Sequence, residues 1–495
     1  MRRRDFALLL PASALAQRAL AQTTDPILKA MQDEMTRSRP LSVVGGQPIY
    51  FMECALDDAQ AFRASASLGA LFSASPTVFR VPRVGLRIGD KKFDNTNYIF
   101  SELFMGTRFD PEQFPLDNNS AAMRQIFWLA IDRAYKTAIE AIGRKKAALR
   151  NITQAEELPD FSDAPPLKMI EPIPAWSVDE TVWKTRIAKL SKVFTSFPDI
   201  YTSSVDFESS RDIYYYANSE GTELRYTELI NYVRARANGQ AADGMRLRNH
   251  TFFFLNGKSQ ISSEAAMEAD IRRTAEELSA LLKAPVGETY SGPVLFEAEA
   301  SAQLFSDLIG SQAAANRKPV AEPGRPINLP MGDLEGRLNS RILPSSFTVV
   351  DDPTQAIYKG RTLMGHYPID LEGVKSQPIV LIEKGNLKNY LSTRIPTRDS
   401  KATNGHARLP GTFGGYVAYS SNLFVKSEES IPAADMKKKL LELVQQRNKP
   451  YGLLVRKLDF PSTASFEELR GVMAGSGSRP APLPLLVYRV YPDGR

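Results

Sequence analysis

The sequence is poor in the residues that bind metals and form disulfides. Cys54 is the only cysteine among 495 residues, and the only histidines are His250, His366 and His406. A single cysteine excludes a disulfide within the chain, even in an oxidising compartment. No two histidines lie within one helical turn, as the paired ligands of a zinc hydrolase would. The sequence therefore predicts no such zinc site, and each histidine is interpreted as hydrogen-bonded or exposed.

Motifs for nucleotide binding and for serine hydrolysis are also missing. The sequence contains no G-x-x-x-x-G-K-[ST] and no G-x-G-x-x-G after a predicted strand. The small residues at 475–478 lack the strand-to-helix frame of a nucleophile elbow, so they are interpreted as a loop. After the first 21 residues, no window approaches the roughly 18 apolar residues of a membrane span. These absences exclude three common function classes.

The formal charge of +6 is concentrated at the N-terminus. Arg2, Arg3, Arg4 and Arg18 against Asp5 give the first 21 residues a charge of +3, which leaves +3 for the remainder. So small a charge on a long chain predicts no nucleic-acid surface.

The same N-terminus has the organisation of an export signal. Its arginines precede an apolar run at 7–16, and small residues ending at Ala21 form a cleavage site. Paired arginines followed by Phe6 are typical of a twin-arginine signal. An ordinary N-terminal helix is the alternative. We expect an exported protein, periplasmic or otherwise extracytoplasmic, that is cleaved near Ala21 and has no membrane span afterwards.

The first half of the sequence mixes strand and helix patterns. Short strands are predicted at 49–52 and 84–88, and a series of four at 202–208, 213–217, 224–226 and 232–237. Residues 117–120 can cap a long helix, which ends near Lys145 and Lys146; these lysines are interpreted as favourable charges at its C-terminus. The apolar stripe of this helix is Phe127, Ile131, Tyr135, Ala138 and Ile142.

Pro285 marks the predicted domain boundary. Residues 151–175 are interpreted as a linker or long loop, and a helix is predicted around 178–194. Ser262 or Ser263 caps a further helix that cannot continue through Pro285. The stripe of that helix is Met267, Ile271, Ala275, Leu278 and Leu282.

Strand and turn patterns dominate the second half. Short helices are predicted at 298–315 and 433–446. The fold class is therefore α+β: an N-terminal α/β domain with long helices at 22–285, then a β-rich, mainly antiparallel domain at 286–495. Because a strand at 485–491 leads into an Asp-Gly turn, we expect the native chain to continue past Arg495.

The stretch 347–410 contains a hairpin signal. Two apolar runs flank Glu383-Lys384-Gly385-Asn386, where Gly385 can take the positive φ of a short loop with a bulge. The adjacent pair Asp351-Asp352 has two interpretations: turn residues before Pro353, or oxygen ligands for a cation.

The same stretch contains a set of residues at characteristic spacings: Val349, Val350, Asp351, Asp352, Asp370, Glu372, Gly373, Gln377, Leu381, Ile382, Glu383, Gly385, Leu387, Tyr390, Gly405 and Arg408. This set resembles the pattern of the TldD/PmbA family, also called modulators of DNA gyrase. The resemblance implies an α/β domain followed by a β-rich domain, and dimers that often pair a catalytic with a non-catalytic subunit. The catalytic type is a zinc metallopeptidase that acts on unfolded or small peptides through H-E-x-x-x-H and a later cysteine.

The resemblance places the zinc motif at residues 306–311. Ser306 and Ser311 then stand at the two histidine positions and Asp307 at the glutamate position, and the second half has no cysteine. A serine hydroxyl is a poor ligand for zinc, and aspartate is one methylene shorter than the glutamate that polarises water. The expected cofactor is therefore none, although zinc is expected in catalytic members.

Three functions follow as hypotheses. The first is a non-catalytic, exported member that binds peptides or serves as a partner subunit, as a homodimer or as a heterodimer with another family subunit. The second is an active metallopeptidase with an unrecognised site. The third is a structural or assembly protein of the cell envelope. The sequence leaves open whether the chain is an enzyme.

Overall fold

The computed structural model describes residues 25–41, 46–99, 114–150, 157–256, 263–321, 333–408, 416–458 and 483–493. The predicted export signal, the predicted loop at 475–478 and the expected continuation past Arg495 lie outside these ranges. Within them, helices and mainly antiparallel sheets form the predicted α+β fold. No helix in these ranges is both long and apolar enough to cross a membrane.

Six α-helices are described, together with 3₁₀ turns at Lys192–Ser196 and Ala433–Asp435 and a π-helical turn at Ser306–Gly310. The α-helices are α1 (Pro26–Ser38), α2 (Ser120–Leu149), α3 (Glu180–Ser191), α4 (Glu264–Leu282), α5 (Ala298–Phe305) and α6 (Met436–Gln446). The strands are β1 (Ile49–Ser67), β2 (Ala70–Ile88), β3 (Tyr98–Ile99), β4 (Lys168–Ile170), β5 (Ile200–Asn218), β6 (Glu223–Gln240), β7 (Arg246–Phe254), β8 (Val294–Phe296), β9 (Val320–Ala321), β10 (Phe347–Asp351), β11 (Ile357–Tyr358), β12 (Arg361–Thr362), β13 (Ile379–Glu383), β14 (Asn386–Leu387), β15 (Ala407–Arg408), β16 (Val417–Ala418), β17 (Leu423–Ser427), β18 (Gly452–Leu458) and β19 (Pro484–Val490).

The first half is built on one large sheet. Its strands lie in the order β2-β1-β5-β6-β4, and β7 also pairs with β6. The predicted short strands at 49–52 and 84–88 are wrong in length, because β1 and β2 have 19 residues each. The predicted series of four strands is likewise two continuous ones, β5 and β6. Alternating alanine, serine and charged residues in these strands hid them from a search for apolar runs.

One face of this sheet carries the helices. At one end α1 and α2 bury Met52, Cys54 and Leu56 of β1, and at the other end α3 and α4 bury Phe62 and Ala64 of the same strand. These positions are all even-numbered, because alternate side chains of a strand point to one face. Both predicted helical stripes are confirmed as buried, and Asn119 and Ser263 cap the two helices as expected.

The second half contains smaller sheets. The four-stranded sheet β14-β13-β10-β17 carries the predicted hairpin. Lys384 and Gly385 have φ values of 46° and 78°, and Glu383 pairs directly with Asn386. The hairpin is therefore confirmed with a two-residue loop in place of the expected bulge. The halves also contact each other, since β3 pairs in parallel with β9; the boundary at Pro285 stays a prediction.

Two further expectations need correction. The helix predicted at 298–315 ends as an α-helix at Phe305 and continues only as the π-helical turn Ser306–Gly310. Lys145, interpreted from the sequence as a favourable charge at the helix C-terminus, is 1% exposed. Its ammonium donates to Asp160 Oδ2 at 2.5 Å and to the carbonyls of Asp94 and Thr96 at 3.0 and 2.8 Å. It therefore joins the helix to the segment that follows β2.

Candidate functional site

The segment at the predicted zinc-motif positions contains neutral or weakly suited donors. Ser306, Asp307 and Ser311 lie along the π-helical turn and at its end, and the Ser311 hydroxyl donates to the Asp307 carbonyl. Burial, together with neighbouring Asp333, raises the pKa of the Asp307 carboxyl. This set does not fit zinc, which binds imidazole, thiolate and carboxylate groups. In the described part of the chain, no three His, Cys, Asp or Glu side chains are grouped to hold a metal ion.

An apolar pocket of about 380 Å³ opens beside this turn. Three segments form it: the turn itself, a loop at 333–337 and a loop at 342–343. The lining residues are Leu308, Ile309, Asp333, Leu334, Arg337, Ile342 and Leu343. Five of the seven are aliphatic, and the charges of Asp333 and Arg337 lie on exposed side chains. Such a pocket suits an apolar group that has polar neighbours.

Gly385 fixes one wall of the pocket. Its carbonyl accepts the backbone N–H groups of Ile342 and Leu343 at 2.8 and 3.1 Å. A Cβ atom at Gly385 would lie only 2.3 Å from the Leu343 carbonyl oxygen. Both the positive φ and this close approach require glycine. The family-motif hairpin therefore sets the position of the 342–343 loop.

Tyr390 fixes a second wall. Its hydroxyl donates to the Leu334 carbonyl at 2.7 Å and accepts the Arg337 N–H at 3.2 Å. Gln312, just beyond the π-helical turn, accepts the Asp333 N–H at 2.9 Å. Two residues of the motif, Gly385 and Tyr390, thus shape a pocket whose own lining residues no sequence pattern singled out as binding residues.

The neighbouring aspartates Asp351 and Asp352 have different roles. Asp351 is completely buried and accepts hydrogen bonds from the hydroxyls of Ser420 and Ser421, from the Ser421 N–H at 3.0 Å and from His406 Nε2 at 3.2 Å. Burial alone would raise the pKa of Asp351, but these donors hold it below its ordinary value. Its oxygens are thus committed to protein donors, which argues against a cation here.

Asp352 has the turn role, one of the two interpretations of the pair, because its carboxylate accepts the N–H and hydroxyl of Thr354.

Asp351 and the serines bonded to it also support the pocket. A Cβ at Gly310, the last residue of the π-helical turn, would lie 3.2 Å from the Ser420 hydroxyl oxygen. The turn therefore packs directly on a serine that Asp351 holds in place.

The other motif residues lie away from the pocket. Asp370, Glu372 and Gly373 form a turn that packs against the first sheet, and Glu383 is exposed in the hairpin. Gly405 accepts a hydrogen bond from the Tyr367 hydroxyl at 3.2 Å. Arg408 lies over the Tyr367 ring, 4.4 Å from its centroid, and 3.8 Å from Glu228 of β6. The predicted motif set therefore divides into pocket residues and residues that join the two halves.

The remaining two histidines are held in the protein interior or by backbone contacts. His250 is buried, and burial together with the nearby Lys457 lowers its pKa to about 3. His366 Nδ1 lies 2.8 Å from the Pro353 carbonyl oxygen. Neither histidine lines the pocket.

Comparison with known proteins shows which family the chain resembles. Residues 289–459 match the model of the PmbA/TldA metallopeptidase C-terminal domain. A protein from Methanothermobacter thermautotrophicus named "Metalloprotease" is 29% identical over 195 residues, which are 39% of this chain and 38% of that protein. The match thus spans less than half of the relative's length.

Solved structures extend the likeness of the fold. TldE from Thermococcus kodakarensis has a TM-score of 0.54 at 14% identity, covering 88% of this chain and 83% of the other. A candidate modulator of DNA gyrase from Thermotoga maritima also has a TM-score of 0.54, at 13% identity, covering 88% and 84%.

The fold is α+β, and residues 289–459 resemble the C-terminal domain of a metallopeptidase family. The sequence relative and the recurring motif residues agree with this resemblance. The chain is thus similar to the TldD/PmbA family.

Proposed function

We propose that this protein is a non-catalytic member of the TldD/PmbA family that binds unfolded or small peptides as a subunit of an exported complex. The observation that carries the proposal is the donor set at 306–311. Two serines and an aspartate occupy the motif positions, while Gly385 and Tyr390 still hold the surrounding loops. The scaffold is kept without the ligands that zinc hydrolysis needs.

The pocket supports the peptide-binding part of the proposal. Its volume of about 380 Å³ accommodates a large apolar side chain, and its lining is mainly aliphatic. The exposed charges of Asp333 and Arg337 at the opening can face the polar backbone and termini of a peptide. We assign the pocket to an apolar residue of an extended peptide.

The proposal is tested first by metal content and peptidase activity. Purified protein dialysed against zinc should retain far less than one equivalent by elemental analysis, and should leave a panel of unfolded peptides uncut. One tightly bound zinc, whose removal by a chelator abolishes cleavage, would instead establish the metallopeptidase alternative with an unrecognised site.

Peptide binding is tested with Leu308→Glu, since Leu308 is 39% exposed at the pocket and can be changed without opening the core. We expect the affinity for a leucine- or phenylalanine-containing peptide to fall about tenfold or more, because the bound peptide would bury the new negative charge. The matched control is Leu129→Glu on α2, 43% exposed and remote from the pocket. Isothermal titration of both variants checks the result; equal affinities would remove the pocket from the proposal.

Partner and location are tested separately. In the source organism, a tagged chain should be recovered from the extracytoplasmic fraction together with a second family subunit that carries H-E-x-x-x-H. Recovery with envelope components alone would favour the structural or assembly alternative. A homodimer by light scattering, with no second subunit in the cell, would replace the heterodimer.

A further inference from the structure

The turn at 370–374 joins the second half of the protein to the first sheet. Gly373 has a φ of 79°, and a Cβ there would lie 2.8 Å from the Tyr216 ring and 2.9 Å from Thr222. Tyr214 donates its hydroxyl to the Leu371 carbonyl at 3.0 Å. We call this the turn–sheet contact. It leaves no space for rearrangement around the charges that it encloses.

Three carboxyl groups are enclosed at this contact. Asp370, Glu372 and Glu53 of β1 are 0%, 4% and 8% exposed. Asp370 accepts three backbone N–H groups, from Glu372, Val374 and Ala407, at 2.9–3.0 Å. Such bonds favour the ionised form of Asp370 and oppose the effect of its burial.

Glu372 also accepts a backbone hydrogen bond. Its Oε2 atom accepts the N–H of Arg394 at 2.7 Å. The Arg394 guanidinium points elsewhere, to Glu220 and to the Ser162 carbonyl, each at 2.8 Å. A nearby guanidinium therefore lowers the cost of a charge on Glu372 without pairing with it directly.

The other elements packed against the turn supply both signs of charge. On β1, Glu53 accepts the Tyr216 hydroxyl at 2.8 Å. On β2, Arg87 is paired with Asp94 at 2.8 Å and Arg83 with Asp57 at 3.2 Å. His406, beside Asp370, is engaged by Asp351. The cations near Glu372 are thus already shared with other carboxylates.

We propose that Glu372 is a proton-dependent switch in the turn–sheet contact. With a proton, its carboxyl is neutral inside a contact that also encloses Asp370 and Glu53, and burial raises the pKa of Glu53 as well. Without the proton, it adds a negative charge to this contact, and the turn separates more readily from the first sheet. Rising pH therefore loosens the connection between the two halves of the protein.

The pKa of Glu372 is shifted in the direction that this geometry requires. Burial first, and then the charge of Asp370, raises the pKa of Glu372 to about 8, against an ordinary value of 4.5. Burial also raises the pKa of Asp370, to about 6. A carboxyl with a raised pKa in the folded state stabilises the fold below its ordinary pKa. Its contribution is lost progressively as the pH rises from about 4.5 through about 8.

Glu372→Gln tests the proposal, because glutamine keeps the shape of the protonated acid and cannot ionise. We expect the unfolding temperature of the wild type to fall relative to that of the variant between about pH 5 and pH 9. Glu383→Gln, an exposed carboxyl of the same half, is the matched control and should follow the wild type. Parallel curves for the wild type and Glu372→Gln would overturn the proposal.

A second measurement on the wild type covers a variant that fails to fold. Infrared spectroscopy should show a protonated-carboxyl stretch at about pH 6.5 that weakens by about pH 9.5. Glu53, Asp57 and Asp212 contribute to the same band, because burial raises their pKa values too. Absence of the band at the lower pH would contradict the proposal. Neither experiment depends on peptide or metal binding, so their results are separate from those that test the proposed function.

Discussion

At the scale of single residues, position in the fold decides what a charged side chain contributes. Lys145 and Lys146 are adjacent in sequence and both lie near the end of α2. Lys146 is exposed, whereas Lys145 is enclosed and bonded to Asp160. The sequence pattern gave both the same role because helical periodicity does not reveal which residue meets a second segment. That second segment, at 157–161, begins eight residues beyond the last residue of the helix.

We therefore predict a large difference between two matched variants. Lys145→Met should destabilise the protein by about 3–5 kcal/mol, because it leaves Asp160 buried without its ammonium partner. Arg317 lies 3.4 Å from the other Asp160 oxygen and will offset part of this loss. Lys146→Met should change the free energy of unfolding by less than about 0.5 kcal/mol. Urea denaturation measures both, and similar values for the two would refute the structural role.

At the scale of elements, the hairpin β13–β14 was predicted from the sequence, whereas its role in supporting a loop of the pocket was not. Apolar runs around Lys384 and Gly385 predicted the strands and the turn. The loop that the turn supports, at 342–343, has no periodicity and lies about 40 residues upstream of it. Its approach depends on backbone hydrogen bonds, which a sequence pattern does not encode.

A pair of glycine variants separates the cost of a left-handed backbone from the cost of moving the neighbouring loop. Gly385 and Gly360 have φ values of 78° and 77°, but only Gly385 has atoms close to the added Cβ. Gly360→Ala should cost about 1–2 kcal/mol from the left-handed backbone alone. Gly385→Ala should cost about 1–3 kcal/mol more, because the 342–343 loop must move.

The same pair links stability to the proposed site. Peptide affinity should weaken in Gly385→Ala and stay unchanged in Gly360→Ala, since only the first displaces a pocket wall. Chemical denaturation and titration calorimetry on the same samples provide the two readouts. If both variants lose equal stability and neither loses affinity, the hairpin does not control the pocket.

At the scale of the whole molecule, helices were easier to predict than the large sheet. Each long helix shows a clear stripe because one face is buried and the other is in water. The central strands differ, since part of their second face is covered by polar contacts with the other half of the protein, at Glu53, Tyr216 and Glu372. Buried polar residues interrupt the alternation that marks a strand. The resemblance to the TldD/PmbA family came from motif residues. Only the structure shows which of these residues lie at the pocket and which lie at the contact between the two halves of the protein.

The outer strand of the large sheet has a consequence for behaviour at high concentration. In the described part of the chain β2 pairs with β1 alone and exposes Leu71, Phe72 and Val78 along one edge. Such an edge can recruit strands from other molecules and begin aggregation. Pro76 and Pro82 pair with Phe62 and Leu56 of β1. They are six residues apart, an even number, so their backbone nitrogens face the same edge of the strand. Because proline has no N–H to donate, an incoming strand meets a broken ladder, and the edge resists growth into cross-β assemblies.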